Sequence, residues 1–121
     1  MSPTALVCDD ALFMRTMIKD LLQQAGVSVV AEAATGSQAV ARYRDARPDL
    51  VTMDIIMPDM NGIDAVRGIL AEDPHARILM CSAMGQQALV LEAIEAGAKD
   101  FIVKPFQPAR VLQAVERVLA S

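Results

Sequence analysis

The sequence predicts a doubly wound α/β fold, in which a parallel sheet of five strands is covered by helices on both faces. Two observations support this prediction. Short apolar runs alternate five times along the chain with longer segments in which apolar residues recur at helical spacing. The strand candidates are also apolar on both faces, which is typical of a parallel sheet buried between two helical layers and joined by right-handed crossovers.

The first two strands flank a long amphipathic helix. Residues 4–8 (TALVC) form an apolar strand candidate, and the segment 11–25 then places its apolar residues on one helical face. Gly26 lies where the cap after a helix is expected, because glycine adopts the left-handed conformation of that position without strain. The second strand is predicted at 27–33.

The middle of the chain contains two further helices and the third strand. A helix is predicted over 37–46, Pro48 interrupts it, and 49–53 (DLVTM) forms the next strand. The stretch 57–62 (MPDMNG) consists of residues that favour turns. A third helix is predicted from 62 to 72, before the Asp–Pro pair that ends it.

The C-terminal part repeats the same alternation. The fourth strand is predicted at 77–81 (RILMC) and the fourth helix at 86–96, where a following glycine ends it. The fifth strand is predicted at 100–103 (DFIV). Pro108 suits the first turn of a last helix, because that turn does not need its backbone N–H.

Length and charge restrict the class of protein. The chain has 121 residues, the size of one domain, so 1–121 is predicted to be a single unit. Its net charge of -4 argues against binding to nucleic acid or to anionic membranes. No apolar run reaches the length of about 18 residues that crosses a membrane, and no signal-peptide pattern is present, so we expect a cytoplasmic protein.

Polar side chains stand at the ends of four predicted strands. Asp9 and Asp10 follow the first strand, Asp54 the third, Ser82 the fourth and Lys104 the fifth. Ligands of open α/β sheets bind outside the carboxyl ends of the strands. We therefore expect these five side chains to converge on one edge of the sheet.

The chemistry of such a cluster indicates phosphoryl transfer. Three carboxylates held close together repel one another, and a divalent cation such as Mg²⁺ relieves that repulsion by binding their oxygens. In this setting the Asp54 carboxylate can attack a phosphoryl group, while the metal and Lys104 neutralise the transferring oxygens. Ser82 can donate its hydroxyl to the bound group.

Each of these residues also has an ordinary structural explanation. Asp9 and Asp10 could cap the first helix, Asp54 could be a turn residue, and Lys104 could be a solvated lysine before a helix. Their joint occurrence at four strand ends favours a shared site. Two other phosphate-handling classes lack their motifs, because the sequence contains neither a GxxxxGK[ST] loop nor a DxD pair after a strand.

This combination resembles the receiver domain of bacterial response regulators over essentially the whole chain. The matching segments are Asp9–Asp10, DIIMPDMNG around Asp54, Ser82–Ala83 and Lys104–Pro105–Phe106. More narrowly, DDALFMR and CSAMGQQALVLEAIEAGAKDFIVKPFQP are similar to the single-domain chemotaxis regulators of that family. The resemblance implies a flavodoxin-like sheet with strand order 2-1-3-4-5 and five helices, an order that the apolar pattern alone does not fix.

The resemblance also implies a role for each site residue. Asp54 would accept a phosphoryl group from a phosphohistidine on a sensor kinase. Asp10 would bind Mg²⁺ directly and Asp9 mainly through water. Asp54 and the backbone carbonyl of Ile56 would share the metal, and Lys104 would pair with the phosphoryl group.

A conformational switch is a further implication of the resemblance. Ser82 would move toward the phosphoryl group, and Phe101, which could otherwise be an ordinary core aromatic, would then turn inward. The surface formed by the fourth helix, the fifth strand and the fifth helix would change and bind a partner. Lys99, Arg110 and Arg117 are candidate contacts on that surface.

Two more features follow from the resemblance. The Lys104–Pro105 peptide bond would be cis, a form found in only about 5–6% of X–Pro bonds. Ile56 and Met84 occupy positions at which family members vary, and both are apolar here. We expect them to hinder an attacking water and slow the loss of the phosphoryl group.

The two cysteines are expected to be buried free thiols. Cys8 and Cys81 both lie in apolar strand candidates, and the implied strand order places another strand between them. With one histidine and no CxxC pair, the sequence predicts no zinc site.

Functions of different classes remain open. The first is a monomeric chemotaxis regulator that is a switch rather than an enzyme, with a histidine kinase, the flagellar motor switch and a phosphatase as partners. The second is the receiver domain of a phosphorelay or of a DNA-binding transcription regulator. Because the last predicted helix ends at the chain terminus, we expect the first. A plain metal-binding or structural α/β module is a third class.

Overall fold

A computed structural model describes residues 2–121, and its ten elements alternate between strand and helix as the apolar pattern predicts. The strands are β1 Thr4–Cys8, β2 Ser28–Ala33, β3 Leu50–Asp54, β4 Ile78–Ser82 and β5 Asp100–Val103. The helices are α1 Leu12–Gln24, α2 Gly36–Ala46, α3 Gly62–Glu72, α4 Gln87–Ala96 and α5 Pro108–Ala120. Within residues 2–121, no helix combines the length and apolarity needed to span a membrane.

The five strands form one parallel sheet in the order β2-β1-β3-β4-β5, which confirms the predicted fold class and strand order. The central strands β3 and β4 are buried at every position, since helices cover both faces of the sheet. The chain passes from β1 outward to β2 and then returns across β1 to β3. The carboxyl ends of β1 and β3 therefore flank the switch point at which ligands of such sheets bind.

Alternate residues of the strands face two separate cores. Leu6 and Cys8 of β1 face the core that α2, α3 and α4 cover, whereas Ala5 and Val7 face the core that α1 and α5 cover. Cys8 and Cys81 belong to different cores, and both are buried free thiols, which confirms the prediction. Burial raises the pKa of both thiols, so they are protonated and unreactive at neutral pH.

Strands β3 and β4 each end one residue later than the apolar pattern predicts. Asp54 pairs with Cys81 in the ladder between β3 and β4, and Ser82 pairs with Val103 in the ladder between β4 and β5. Backbone hydrogen bonding between strands does not depend on the side chain, so it continues through a polar residue. The run of apolar residues, from which the strand ends were predicted, stops before that residue. Asp54 and Ser82 are consequently held by the sheet itself and not by a loop.

The loop from β3 to α3 packs tightly against the end of its own strand. The Gly62 N–H donates to the carbonyl oxygen of Ile55 at 2.7 Å, and a Cβ atom at Gly62 would overlap the carbonyl oxygen of Asp54. Asn61 caps α3 by accepting a hydrogen bond from the backbone N–H of Asp64 at 2.9 Å. These contacts fix the backbone that follows Asp54.

Candidate functional site

The carboxyl ends of β1, β3 and β5 bring four of the predicted site residues together. Asp54 is the last residue of β3, Asp9 and Asp10 follow β1, and Lys104 follows β5. One carboxylate oxygen from each of the three aspartates lies within 4.8 Å of the other two. The Lys104 ammonium contacts two of these carboxylates, so the group is an acidic cluster with a cation built into it.

Asp54 is a buried nucleophile candidate, with 7% of its surface exposed. Its Oδ1 accepts a hydrogen bond from the backbone N–H of Ile55 at 3.0 Å and lies 3.3 Å from the Nζ of Lys104. Both contacts involve Oδ1, and within residues 2–121 the other oxygen, Oδ2, makes no hydrogen bond or ion pair. Oδ2 therefore remains available to attack an incoming group.

The two carboxylate oxygens of Asp9 have different partners, one just before α1 and the other on Lys104. Its Oδ1 accepts a hydrogen bond from the backbone N–H of Ala11 at 2.9 Å, and its Oδ2 accepts one from Lys104 at 3.0 Å. The N-cap residue of α1 is Ala11, so neither Asp9 nor Asp10 occupies the capping position. Helix capping therefore does not explain the aspartate pair, whereas a shared acidic cluster does.

The donor set of the cluster fits a hard divalent cation. Mg²⁺ prefers carboxylate and carbonyl oxygens and retains several of its waters. Asp9 and Asp54 are buried while Asp10 is exposed, so the cluster has one side open to solvent. Three clustered carboxylates carry more negative charge than Lys104 alone neutralises, and a divalent ion balances the remainder.

Burial is the main influence on the charge of Asp54. It raises the pKa of this carboxyl from 3.8 to about 6, and the negative charge of Asp9 adds to the rise, although Lys104 opposes it. Burial alone would lower the pKa of Lys104, but its hydrogen bond to Asp9 and the charge of Asp54 outweigh burial and raise it. At neutral pH, Asp54 is therefore an anion beside a cation, as a nucleophilic carboxylate requires.

Ser82 and Phe101 lie beside the acidic cluster. Among residues 2–121, the buried Ser82 hydroxyl donates a single, long hydrogen bond, 3.4 Å, to the carbonyl oxygen of Ile102. The Ser82 carbonyl accepts a hydrogen bond from the backbone N–H of Lys104 at 2.7 Å, which joins the ends of β4 and β5. Phe101 is 37% exposed and lines, with Ser82, an open apolar cavity of about 430 Å³.

The remaining predicted positions lie at the rim of the site. Ile56 is 57% exposed and Met84 is 80% exposed, so both apolar side chains stand in solvent. The backbone carbonyl of Ile56 follows the buried Ile55 in the loop after β3. The Lys104–Pro105 peptide bond is cis.

Arg15 is a supporting residue that the sequence reasoning missed. From α1, its Nη1 donates to the backbone carbonyl of Asp9 at 2.7 Å, and its Nε donates to Glu32 of β2 at 3.0 Å. Arg15 thereby ties the loop that carries Asp9 to the edge strand. The only signal in the sequence is a pair of opposite charges on two elements, and their contact depends on a strand order that the apolar pattern does not supply.

Comparison with known proteins agrees with this arrangement. Residues 5–116 match the response regulator receiver domain family. The chemotaxis protein CheY of Thermotoga maritima is 58% identical over 118 residues, which cover 98% of this chain and 98% of that protein. The chemotaxis protein CheY of Bacillus subtilis is 60% identical over 119 residues, or 98% of this chain and 99% of that protein.

Solved structures show the same architecture. A chain in the CheX–CheY–BeF₃–Mg²⁺ complex from Borrelia burgdorferi superposes with a TM-score of 0.92 at 38% identity, covering 98% of this chain and 90% of that one. A LuxR-family two-component response regulator from an Aurantimonas species superposes with a TM-score of 0.92 at 37% identity, covering 99% of this chain and 86% of that one.

The fold and the acidic cluster define a doubly wound signalling module with an Mg²⁺-type pocket at the switch point of its sheet. The chain belongs to the response regulator receiver domain family. Its members are signalling switches, and receiver domains bind Mg²⁺ at the acidic pocket that Asp9, Asp10 and Asp54 form here.

The raised pKa of Asp54 predicts a pH-dependent gain in stability from Asp54→Asn. Because the folded-state pKa lies above the ordinary value, the stability that this group contributes is complete below pH 3.8 and is lost as the pH rises through about 6. In EDTA at about pH 7.5, the variant should be more stable than the native chain by about 1–3 kcal/mol. Near pH 4 the difference should disappear. Urea unfolding at the two pH values measures it.

A matched control is Asp59→Asn, which removes an exposed carboxylate and should leave stability unchanged at both pH values. Added Mg²⁺ should favour the native chain, because Asp54 belongs to the acidic cluster that would hold the ion. An equal gain at both pH values would mean that the charge of Asp54 is not the source of the effect.

Proposed function

We propose that this chain is a phosphorylation-activated chemotaxis response regulator in which Asp54 accepts a phosphoryl group from a histidine kinase. The observation that carries the proposal is the environment of Asp54, a buried carboxylate with Lys104 at 3.3 Å and two further aspartates within metal-binding distance. The similarity to CheY proteins over nearly the whole chain supports the chemotaxis role.

The proposed reaction moves the phosphoryl group from a nitrogen to an oxygen. A carboxylate oxygen of Asp54 bonds to phosphorus, the bond between phosphorus and the imidazole nitrogen of phosphohistidine breaks, and its electron pair stays on the imidazole. Lys104 is placed to neutralise charge on the transferring oxygens. Mg²⁺, held by Asp10, Asp54 and the Ile56 carbonyl and by Asp9 through water, would supply further positive charge. The chain would thus catalyse only its own phosphorylation and dephosphorylation.

Activation is proposed to pass through Ser82 and Phe101. The phosphoryl group adds a charge of about -1.5 to -2 and new acceptor oxygens. The Ser82 hydroxyl, whose hydrogen bond within residues 2–121 is a long one of 3.4 Å, would turn toward these acceptors. Phe101 would then turn inward and change the surface of α4, β5 and α5, which would bind the flagellar motor switch protein.

The remaining attributes are part of the same proposal. We propose a single receiver domain over 1–121 that acts in the cytoplasm as a monomer, without nucleic-acid or membrane partners. A phosphatase is the further partner that we propose. The net charge of -4 supports the absence of nucleic-acid partners.

Acetyl phosphate with Mg²⁺ is expected to add one phosphoryl group to the chain, at Asp54. Lys104→Ala should reduce the rate of modification by about 10²-fold or more, because it removes the cation beside the reacting oxygens. Intact mass spectrometry, followed by borohydride trapping and peptide mapping, measures the extent and position. The matched control Lys99→Ala removes an exposed lysine and should not change the rate. No modification of the native chain would favour a structural α/β module instead.

Ile56→Asn is expected to shorten the lifetime of the phosphoryl group several-fold. The exposed Ile56 side chain offers an attacking water no hydrogen bond, whereas an amide at the same place would orient one. The decay of phosphorylated chain after removal of the donor measures the half-life. Ile56→Leu keeps the apolar rim and should retain the native half-life. An unchanged half-life in Ile56→Asn would contradict the role of the apolar rim.

Motor-switch peptides are expected to bind more tightly when the chain carries beryllofluoride and Mg²⁺, a phosphoryl mimic. Isothermal titration with and without the mimic measures the difference, and Asp54→Ala should abolish it. A chain that takes up beryllofluoride without gaining affinity for such peptides would instead support the phosphorelay or transcription-regulator alternative. The similarity to a LuxR-family response regulator is the observation that favours this alternative.

A further inference from the structure

Arg110 of α5 makes a set of contacts with β5 that the sequence did not predict. Its Nη2 donates to the backbone carbonyl of Phe101 at 2.8 Å and to the Asp100 carboxylate at 3.2 Å. Its guanidinium carbon lies 6.0 Å from the centre of the Phe101 ring. Arg110 was expected to be a partner contact, but its side chain is turned to β5 and is 35% exposed.

One nitrogen of the Arg110 guanidinium lacks a hydrogen-bond partner in this position. Its Nη1 is buried and has no hydrogen-bond acceptor among the residues that the structure describes. A buried donor without an acceptor costs free energy, which offsets part of the stabilisation that the other contacts of Arg110 provide.

Phe101 lies between two cavities of different character. On one side it borders the apolar cavity of about 430 Å³ that Ser82 also lines, and on the other it borders a cavity of about 520 Å³ lined by Lys104 and Arg110. A ring that turned toward Ser82 would enter the first cavity and leave the guanidinium. The contact with Arg110 would therefore favour the outward, partly exposed position of the Phe101 ring over a position inside the first cavity.

We propose that Arg110 is a positioning residue of the switch, which holds the Phe101 ring outward and so biases the unphosphorylated chain toward its inactive state. This inference rests on the switch role proposed for Phe101. Removal of the guanidinium should raise the population of the inward position about two- to fivefold, the range expected for a partly exposed cation–π contact. A phosphoryl mimic that favours the inward position should then bind with a correspondingly lower apparent dissociation constant.

The test is the affinity for beryllofluoride in the presence of Mg²⁺, measured on the full chain labelled with 4-fluorophenylalanine. The chain has three phenylalanines, so ¹⁹F spectra are simple, and Phe101→Leu assigns the Phe101 resonance. Arg110→Gln and Arg110→Met should both bind the mimic about two- to fivefold more tightly than the native chain, because neither keeps the cation. The methionine variant keeps the apolar stem of the side chain, and it serves if the glutamine variant does not fold.

Two controls separate this role from a merely structural one. Arg44→Gln removes an equal charge from an exposed position on α2, away from the switch surface, and should leave the affinity unchanged. In a Phe101→Ala background, Arg110→Gln should have no effect on the affinity, because the ring that Arg110 positions is gone. A change of equal size in both backgrounds would overturn the inference.

The outcomes also distinguish this inference from the function on which it rests. If beryllofluoride leaves the Phe101 resonance of the native chain unmoved, the switch role of Phe101 fails, and this inference fails with it. If the resonance moves but the Arg110 variants retain native affinity, only the role of Arg110 is wrong.

Discussion

The ammonium group of Lys104 is the cation on which the acidic site depends. It lies 3.0 Å from Asp9 and 3.3 Å from Asp54, and both carboxylates are buried. Without the ammonium group between them, these two buried carboxylates would repel each other strongly, and the pKa of Asp54 would rise further. Lys104 follows β5, whereas Asp54 ends β3, two strands or roughly 10 Å away across the sheet. Its side chain must therefore cross the end of β4, where a small residue, Ser82, stands.

This crossing links the chemistry of the site to the outer surface of the protein. The backbone N–H of Lys104 donates to the Ser82 carbonyl, so the cation and the hydroxyl residue share one junction between β4 and β5. Phe101 lies in β5, three residues before Lys104, and Arg110 of α5 donates a hydrogen bond to the Phe101 carbonyl. In the proposed switch, a change in charge at Asp54 would act on a short edge strand that packs on α5 through the buried Ile102 and is also bonded to it by Arg110.

The sequence predicted the fold and the acidic cluster because both depend on local patterns. Apolar runs located the strands, and a polar residue after each run placed Asp9, Asp54, Ser82 and Lys104 at one edge of the sheet. The strand order came from resemblance, since strands buried on both faces have similar patterns in any order. The predicted ends of β3 and β4 were one residue too early, because backbone pairing continues past the last apolar side chain.

Long polar side chains were the part that the sequence could not place. Arg15 and Arg110 look like ordinary helix-surface residues in the sequence, yet each reaches across to a strand and bonds to a backbone carbonyl. Such contacts depend on the separation of two elements and on several rotatable bonds, neither of which leaves a periodic signal. The apolar pattern fixes where a helix lies but not which neighbour its longest side chains contact.

The acidic cluster makes the native state of this protein less stable than its core would allow, and that instability has a use. Burial and the charge of Asp9 raise the pKa of Asp54, so keeping Asp54 ionised at neutral pH opposes folding. Any cation that binds the cluster relieves this repulsion, and a phosphoryl group removes the free carboxylate while bringing new charge toward Lys104. Each event therefore acts on a site that is already under electrostatic stress. A neutral residue at Asp54 should give a more stable protein but would remove the nucleophile that we propose. The buried charge of Asp54 thus lowers stability, and its proposed function explains why it is present.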